Sequence, residues 1–552
     1  MDDFLQDRPH ASNRFRTDLA FRRTLERLLG PETFEEVTPE LDAMGALAVG
    51  DLARLAEQAE AHPPQHVPFD AWGRRVDRLV VDPAWLRLVD IGMEAGLVAI
   101  AYEGRFGDRD RILQFGLQHL FMPASATADC PMAMTDAAAR VLLNEAPELS
   151  KRYVPLLTRR QDAFTSGQWM TEKEGGSDVG RTSTIARPLG DGTFTLHGTK
   201  WFTSATTADI ALALARPQGA EEGSRGLSLF LLELRNHDGS WNGISVRRLK
   251  DKLGTRALPT AELDLDGCIA VPVGELGRGV AKIAPMLNIT RVHAAFGSSA
   301  GVGAVLSLAR DYASRREAFG RMLRDLPAHR TWMATIAATY EAGLALSFRA
   351  AELLGASEHG SGDLIARTVI PLTKMALARQ GVWACSELLE SFGGAGYLED
   401  TGLPRALRDL HVQCIWEGTT SVMALDVLRA LSREGAAVAF LDEVRDKVRT
   451  FEHPLLSDVA AKVLAATDQL ASLMTSADES SARRLAWGMA RTYQAALLHH
   501  AAGWELDKHG DATASAAART FASQALIDEG SDLSMDETAE LAFGRGLGEI
   551  DA

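Results

Sequence analysis

Residues 193–217, TFTLHGTKWFTSATTADIALALARP, contain two predicted β-strands in a chain of 552 residues that is otherwise mostly helical in pattern. The first run follows a cluster of turn residues at 190–192, and the second is a continuous apolar run at 210–217. Further strands are predicted at 227–234 and 261–267. Because these strands do not alternate with helices, they predict a compact antiparallel sheet or small barrel rather than a doubly wound nucleotide-binding domain.

Helical periodicity is found on both sides of this β-region. Upstream, the stretches 39–62 and 82–103 place apolar residues at three- and four-residue spacing, and each begins with a Pro-containing helix-start signal. Downstream, Pro371 predicts a kink or break within a helical segment. We predict an α+β multidomain fold with four parts: an N-terminal helical domain at 1–165, a central antiparallel β-barrel or sandwich at 166–282, a C-terminal helical bundle at 283–434, and a helical C-terminal extension at 435–552.

Composition indicates a soluble globular protein, with 46% hydrophobic and 24% charged residues. No uninterrupted apolar run long enough to span a bilayer is evident, so we expect no membrane insertion. The first residues include several acids and lack an apolar core, which predicts neither a secretory signal nor a transit peptide. The four cysteines are scattered without metal-ligand spacing. These features predict a cytoplasmic protein with reduced thiols and without a metal site.

Some segments could carry chemistry, although none is decisive alone. Phosphate-loop, zinc-helix and dinucleotide fingerprints are absent from the sequence, so a bound flavin would have to be held in another way. The loop at 170–178 offers hydroxyls and exposed backbone that a ring or phosphate can approach, but alone it reads as a domain-crossing loop. By itself Trp201 is typical of a barrel core, and the element at 316–320 alone is typical of a helix end with a glycine cap at Gly320. Glu417 alone suggests a solvated carboxylate before a helix capped by Thr420 or Ser421.

The order of these motifs resembles that of the acyl-CoA dehydrogenase family over about residues 30–435. The matching elements are the flavin loop at 170–178, the ring-shielding strand at 200–204, the KLG-x-R turn at 252–256, the R-x-x-F-G element at 316–320, the glycines at 393–394, and the catalytic loop IWEGT at 415–419. Trp416, in place of the commoner Tyr, and the segments 73–85 and 130–135 are similar to the AidB-like branch.

This resemblance implies an FAD-dependent enzyme in which Glu417 removes the α-proton of an acyl-CoA thioester. Arg291 and Gly418 are implied to bind the substrate, and Arg316 to reach the flavin pyrophosphate of a neighbouring subunit. It also implies a homotetramer and an electron-transfer flavoprotein as the electron acceptor. Pro327 stands where many relatives place a flavin-contacting Gln. The residues implied to bind FAD are Met170, Thr171, Gly176, Ser177, Trp201, Thr203, Ser204, Arg316, Phe319, Gly393, Gly394 and Thr419.

Members of the AidB-like branch have been associated with duplex DNA through a basic C-terminal region, and this chain departs from that pattern. Residues 435–552 contain 10 Lys and Arg against 19 Asp and Glu, and the whole chain has a net charge of −16. A duplex-binding surface needs clustered cations, so we expect no tight DNA binding. Two alternatives stay open: a DNA-associated flavoprotein of the alkylation response, and a flavoprotein that binds acyl-CoA without turnover.

Overall fold

The N-terminal region combines helices with one β-hairpin in the computed structural model, which describes residues 7–528 and 533–544. Its elements are α1 (Arg14–Thr17), α2 (Leu19–Leu29), α3 (Pro31–Val49), α4 (Asp51–Ala61), β1 (Gln65–Phe69), β2 (Arg75–Val80), α5 (Pro83–Glu94), α6 (Ile100–Glu103), α7 (Asp110–Phe121), α8 (Asp129–Glu145) and α9 (Pro147–Leu157). The predicted start of α5 is confirmed, since the Asp82 side chain accepts a hydrogen bond from the backbone of Ala84.

One prediction for this region is wrong. No helix begins at Pro39: α3 already begins at Pro31, directly after Gly30, and Pro39 lies inside it. The predicted N-terminal helical domain is confirmed, but it also contains the hairpin β1–β2, which was not predicted. Its buried Asp77 accepts hydrogen bonds from His66 at 2.8 Å and from the backbone N–H of Val246 at 3.1 Å. The hairpin is therefore stabilised by docking on the β-domain, a contact that local sequence does not reveal.

The central β-domain is confirmed. Its strands are β3 (Ser166–Trp169), β4 (Ile185–Pro188), β5 (Phe194–Ser204), β6 (Ile210–Pro217), β7 (Ser228–Glu233), β8 (Ile244–Leu249) and β9 (Thr260–Pro272). They pair in the order β3-β6-β4-β5-β9-β7, β8 pairs with β9, and a β6–β7 pairing closes the path on itself. Most pairings are antiparallel as predicted, but β6 runs parallel to β3 and β4.

The C-terminal bundle follows as predicted. Its elements are α10 (Gly279–Lys282), α11 (Ala284–Arg315), a short hairpin of β10 (Glu317–Ala318) and β11 (Arg321–Met322), α12 (Pro327–Glu358), α13 (Asp363–Glu390), α14 (Leu403–Gln413) and α15 (Thr420–Leu431). Helix α13 continues through Pro371 and packs against α11 and α12, so the predicted break does not occur there. By length and composition α11 could cross a membrane, a feature that the sequence prediction overlooked, but here it is mostly buried in the bundle.

The extension packs on this bundle. It comprises α16 (Ala436–Arg449), α17 (Ser457–Ser476), α18 (Ala482–His509), α19 (Thr513–Ala522) and α20 (Met535–Phe543). Gln494 on α18 and Gln380 on α13 exchange two buried amide hydrogen bonds of 2.8 and 2.9 Å. The long helix α18 thus joins the bundle's own packing, since it contacts α12, α13 and α15.

A buried ion-pair network joins the N-terminal region to the bundle. Arg111 of α7 contacts Asp136 of α8 at 2.6 Å and Glu358 of α12 at 2.5 Å. His293 of α11 lies 3.2 Å from the same Asp136 carboxylate. Burial acts to raise the pKa of Asp136, but Arg111 and His293 together hold it below its ordinary value.

We expect Asp136→Asn to destabilise the protein by about 3–5 kcal/mol, because it leaves Arg111 buried with one charge partner fewer. The carboxylate contributes stability above its unfolded pKa of about 4, and this contribution is lost as the pH falls toward the lower folded pKa. Thermal unfolding temperatures measured between about pH 6 and pH 3 should therefore converge for parent and variant. The exposed Asp266→Asn is the control, and equal unfolding temperatures of parent and Asp136→Asn at neutral pH would contradict the prediction.

Candidate active site

Glu417 lies on the loop between α14 and α15 in an uncommon backbone conformation. Its φ is +56°, and that of Gly418 is +107°. A left-handed residue other than glycine costs about 1–3 kcal/mol unless its surroundings hold it. Glycine is favoured at position 418 because L side chains rarely adopt such a φ, and an added Cβ would also displace the Met423 methyl group, which would lie 2.4 Å away. The N-cap residue of α15 is Thr419, without a side-chain cap bond, and the predicted cap by Thr420 or Ser421 is therefore wrong.

The half-buried carboxylate of Glu417 is oriented by α11. The Thr290 hydroxyl donates to Glu417 Oε2 at 2.8 Å, while the Met286 carbonyl offers an alternative acceptor at 3.1 Å. Because a hydroxyl has one hydrogen to donate, either acceptor can be satisfied at a time. Among the described residues, no cation lies within ion-pair distance of Glu417, although its carboxylate interacts electrostatically with Lys374 and Arg291 at longer range.

Arg291 contacts both the loop that carries Glu417 and the helix α15 that follows it. Its Nη1 lies 2.9 Å from Asp426 on α15, and its Nε is 3.5 Å from the backbone oxygen of Glu417. Arg367 on α13 also binds Asp426. Burial acts to raise the pKa of Asp426, but the two guanidinium groups hold it below its ordinary value. These contacts place Arg291 against the catalytic loop, and its substrate contact stays a prediction.

Sequence reasoning missed Lys374 on α13. This lysine is only 1% exposed, and its Nζ donates a hydrogen bond to the backbone oxygen of Gly418. The signal was present, because Lys374 is a single charge inside the apolar run 369–378. A charged side chain on an apolar helix needs a buried partner, here a carbonyl of the catalytic loop.

The loop's backbone N–H groups form a second feature of the site. Within the part of the chain that the structure describes, the N–H groups of Glu417, Gly418 and Thr419 donate to no protein acceptor. They lie at the N-terminus of α15, where the helix dipole favours negative charge. An oxygen that gains negative charge during a reaction could therefore be stabilised beside the Glu417 carboxylate.

The predicted flavin loop is fixed to the β-domain by a buried ion pair. Glu172 contacts Lys200 Nζ at 2.6 Å and also accepts from the Ser183 backbone N–H at 2.6 Å. Burial acts to raise the pKa of Glu172, but Lys200 lowers it below its ordinary value. The backbone N–H of Trp201 donates to the Thr171 carbonyl at 3.0 Å, so Thr171 and Trp201 are brought together. Met170 is buried in this loop, whereas Gly176 and Ser177 are exposed.

Trp201 does not belong to the barrel core. The β5–β9 register shifts between Lys200 and Thr203, and Trp201 lies in this irregular segment, half-exposed, with Lys250 Nζ 3.7 Å from its ring centroid. Thr203 is fully buried and donates to the Ala261 carbonyl at 2.8 Å. Any contact of Thr203 with a cofactor would therefore have to come from its backbone. Ser204, half-buried, lies within hydrogen-bonding distance of the Thr260 hydroxyl at 3.1 Å.

Arg316 and Gly393-Gly394 line a separate surface cleft of about 620 Å³. Arg316 forms no ion pair within residues 7–528 and 533–544, and an added Cβ at either glycine would meet no neighbouring atom. The reading of Gly320 as a helix cap is wrong, because Phe319 and Gly320 form the two-residue turn of the β10–β11 hairpin, with φ of +53° and +72°. Phe319 is 94% exposed at its tip.

The predicted site residues thus form three groups on one subunit. The catalytic group surrounds Glu417, the flavin-loop group surrounds Thr171 and Trp201, and the cleft group surrounds Arg316. The lining of the cleft contains none of the predicted residues of the β-domain or of the catalytic loop.

Comparison with protein-family descriptions covers most of the chain. Residues 167–268 match the acyl-CoA dehydrogenase middle domain, and residues 277–432 match the acyl-CoA dehydrogenase C-terminal domain. The flanking regions match more specific descriptions: the adaptive response protein AidB N-terminal domain at 7–162, and the acyl-CoA dehydrogenase 11 C-terminal domain-like family at 436–542.

Two similar proteins and one solved structure match most of this chain. Acyl-CoA dehydrogenase family member 11 of Caenorhabditis elegans is 42% identical over 95% of this chain and 90% of its own. Putative acyl-CoA dehydrogenase AidB of Escherichia coli is 33% identical over 73% of this chain and 75% of its own. Among solved structures, C. elegans ACDH-11 in complex with C11-CoA superposes with a TM-score of 0.94 at 40% identity, covering 99% of this chain and 98% of that one.

The arrangement of domains, the catalytic loop and the extent of these similarities agree with one another. The chain belongs to the acyl-CoA dehydrogenase family, in its AidB-like branch, and is an acyl-CoA dehydrogenase enzyme.

Proposed function

We propose that this protein dehydrogenates an acyl-CoA thioester between its α and β carbons, with Glu417 as the base. The supporting observation is that, within the described residues, a carboxylate without a direct ion pair and backbone N–H groups without a protein acceptor lie on the same loop. Acyl-CoA is the substrate class favoured by the family and by the C11-CoA complex of the C. elegans relative.

Glu417 is better suited to proton removal than the neighbouring carboxylates. Asp426 is bound by two guanidinium groups, and Glu172 is paired with Lys200. Burial raises the pKa of Asp129, which favours its neutral form. A general base must be unprotonated and able to reach the proton, and Glu417 is half-buried at a loop surface without a competing ion pair.

The backbone N–H groups next to Glu417 would assist this step. The α-hydrogen of a thioester is a weak acid, so its removal requires stabilisation of the negative charge that develops on the thioester oxygen. Preorganised N–H donors supply that stabilisation, and removing one donor typically costs about 10²–10³ in rate. Gly418, between Glu417 and Thr419, is the substrate-binding position of this loop.

FAD is used by members of this family, and the residues present fit it. The half-exposed indole of Trp201 offers a flat face for a ring system, and the loop of Thr171, Gly176 and Ser177 offers hydroxyl and backbone groups. Arg316, which lacks an ion-pair partner in the described chain, offers a guanidinium to a diphosphate. When bound, FAD supplies the acceptor for the β-hydride.

Separation of the Arg316 cleft from the Trp201 group supports a site completed by association. We propose a homotetramer in which Arg316 of one subunit serves the cofactor of another, since the cleft that Arg316 lines includes no residue of the Trp201 group. The exposed Phe319 and Tyr397, at 94% and 90%, are consistent with contact surfaces near this cleft. We further propose an electron-transfer flavoprotein as acceptor, a cytoplasmic location and no tight binding to duplex DNA.

We expect Glu417→Gln to keep FAD and bind acyl-CoA normally, because it preserves size and removes only the proton acceptor. Anaerobic flavin reduction across a panel of acyl-CoA thioesters should fall by at least about 10²–10⁴. Glu434→Gln, an exposed carboxylate just beyond α15, is the matched control. Parent-like reduction by Glu417→Gln would place the base elsewhere. If parent and variant both bind acyl-CoA and neither is reduced, the non-turnover alternative is correct.

Arg316→Gln should weaken FAD binding about 10–100-fold, the loss expected for a charge-assisted hydrogen bond. Titration of the apoprotein with FAD measures this, and Arg321→Gln on the same hairpin is the control.

Co-expression of Arg316→Gln with Glu417→Gln subunits tests whether Arg316 acts across subunits. Mixed oligomers would contain sites with both a native Glu417 and a partner's native Arg316, so activity should exceed that of either variant alone. Mixed oligomers no more active than the separate variants would show that Arg316 acts within its own subunit.

A further inference from the structure

Lys374 is a buried cation without a carboxylate ion-pair partner in the described chain. It lies within α13, is 1% exposed and is among the largest fully buried side chains. Its ammonium group donates to the Gly418 carbonyl, and no salt bridge involves it. A lysine is rarely fully buried unless its charge is compensated, and burial lowers the pKa of Lys374 to about 8. Within the described residues, the hydrogen bond of this ammonium group goes to the loop at 415–419, and its charge interacts at longer range with the Glu417 carboxylate.

Lys374 contacts the loop beside the residue with the least favourable backbone conformation, Glu417. Glu417 has a φ of +56° without being glycine, and Lys374 binds the carbonyl of the next residue, Gly418, in the peptide that joins Gly418 to Thr419. Arg291 Nε lies 3.5 Å from the preceding carbonyl, that of Glu417. Two successive carbonyls thus face buried cations on α11 and α13. Because a trans peptide places C=O and N–H on opposite sides, the N–H groups of Gly418 and Thr419 are directed away from these cations.

We infer that Lys374 is a positioning residue for the proton-removal step: by holding the Gly418 carbonyl, it keeps Glu417 in its left-handed conformation and the loop N–H groups free. This inference rests on the proposed function. Without the hold from α13, the loop can relax toward ordinary backbone angles, which moves both the carboxylate and the N–H donors. Lys374 itself touches neither substrate nor reacting atoms in this role, since it acts through the loop.

Three substitutions test this inference in the FAD-loaded protein. Lys374→Met keeps the length of the side chain and removes its donor and charge, while Lys374→Arg restores both. Lys447→Met, which removes a partly buried lysine of the extension, is the matched control. Rapid-mixing measurements of flavin reduction by an acyl-CoA give the limiting rate and the substrate Kd separately. The same acyl-CoA deuterated at the α carbon reports whether proton removal limits the rate.

We expect Lys374→Met to lower the limiting rate at least about 100-fold, in the range reported for loss of a preorganised electrostatic group. Substrate Kd and FAD content should change less than about threefold, since the loop is repositioned rather than the binding surface removed. Lys374→Arg should recover at least tenfold of the lost rate. Deuteration at the α carbon should slow Lys374→Met at least as strongly as it slows the parent.

A Lys374→Met rate within threefold of the parent overturns the inference, as does the loss of the α-deuterium effect in that variant. If Lys374→Met fails to retain FAD, Lys374→Leu, which also removes the donor and the charge, takes its place under the same criteria. If Glu417→Gln slows flavin reduction but the Lys374 variant does not, this inference alone is overturned and the proposed function stands. A parent that no acyl-CoA reduces overturns the proposed function and this inference together.

Discussion

The left-handed backbone of Glu417 is a local cost that the surrounding helices must offset. Three side chains do so from two helices: Thr290 and Arg291 on α11, and Lys374 on α13. Each contact holds a different atom of the loop, namely a carboxylate oxygen and two successive carbonyls. The geometry of the candidate site is therefore set by how α11 and α13 pack, rather than by the loop sequence itself.

The β-domain also contains a loop that is held in place by a buried side-chain contact. Its predicted flavin loop, at 170–178, includes the exposed Gly176 and Ser177, and Glu172 ties this loop to Lys200 inside the sheet. The register shift after Lys200 then releases Trp201 from regular alternation, which leaves the indole half-exposed at the domain surface. Lys200 in the β-domain and Lys374 in the bundle are thus both buried lysines that hold a loop whose functional groups must stay accessible.

Local sequence predicted those parts of the fold whose signals are local. The strands at 193–217 were recognisable because turn residues bound short apolar runs, and α5 because Asp82 precedes Pro83. The hairpin at 65–80 was missed because Asp77 is stabilised by contacts with the distant Val246. Motif order singled out Glu417 as the candidate base, yet it gave no means of pairing Lys374 with Gly418, since the two are 44 residues apart in sequence. The helix-cap reading of Gly320 failed because a hairpin turn also favours glycine at positive φ.

The extension after residue 435 completes this arrangement. Gln494 on α18 and Gln380 on α13 form a reciprocal buried amide pair, and Gln380 lies six residues beyond Lys374 on the same helix. Six residues correspond to about 9 Å along an α-helix, so the contact braces α13 less than two turns from the cation that holds the catalytic loop. An unpaired amide at this depth would be costly, which fixes the position of α18 against α13 as well. The extension is thus part of the scaffold behind the candidate site, and its acidic composition is compatible with a packing role that needs no nucleic acid.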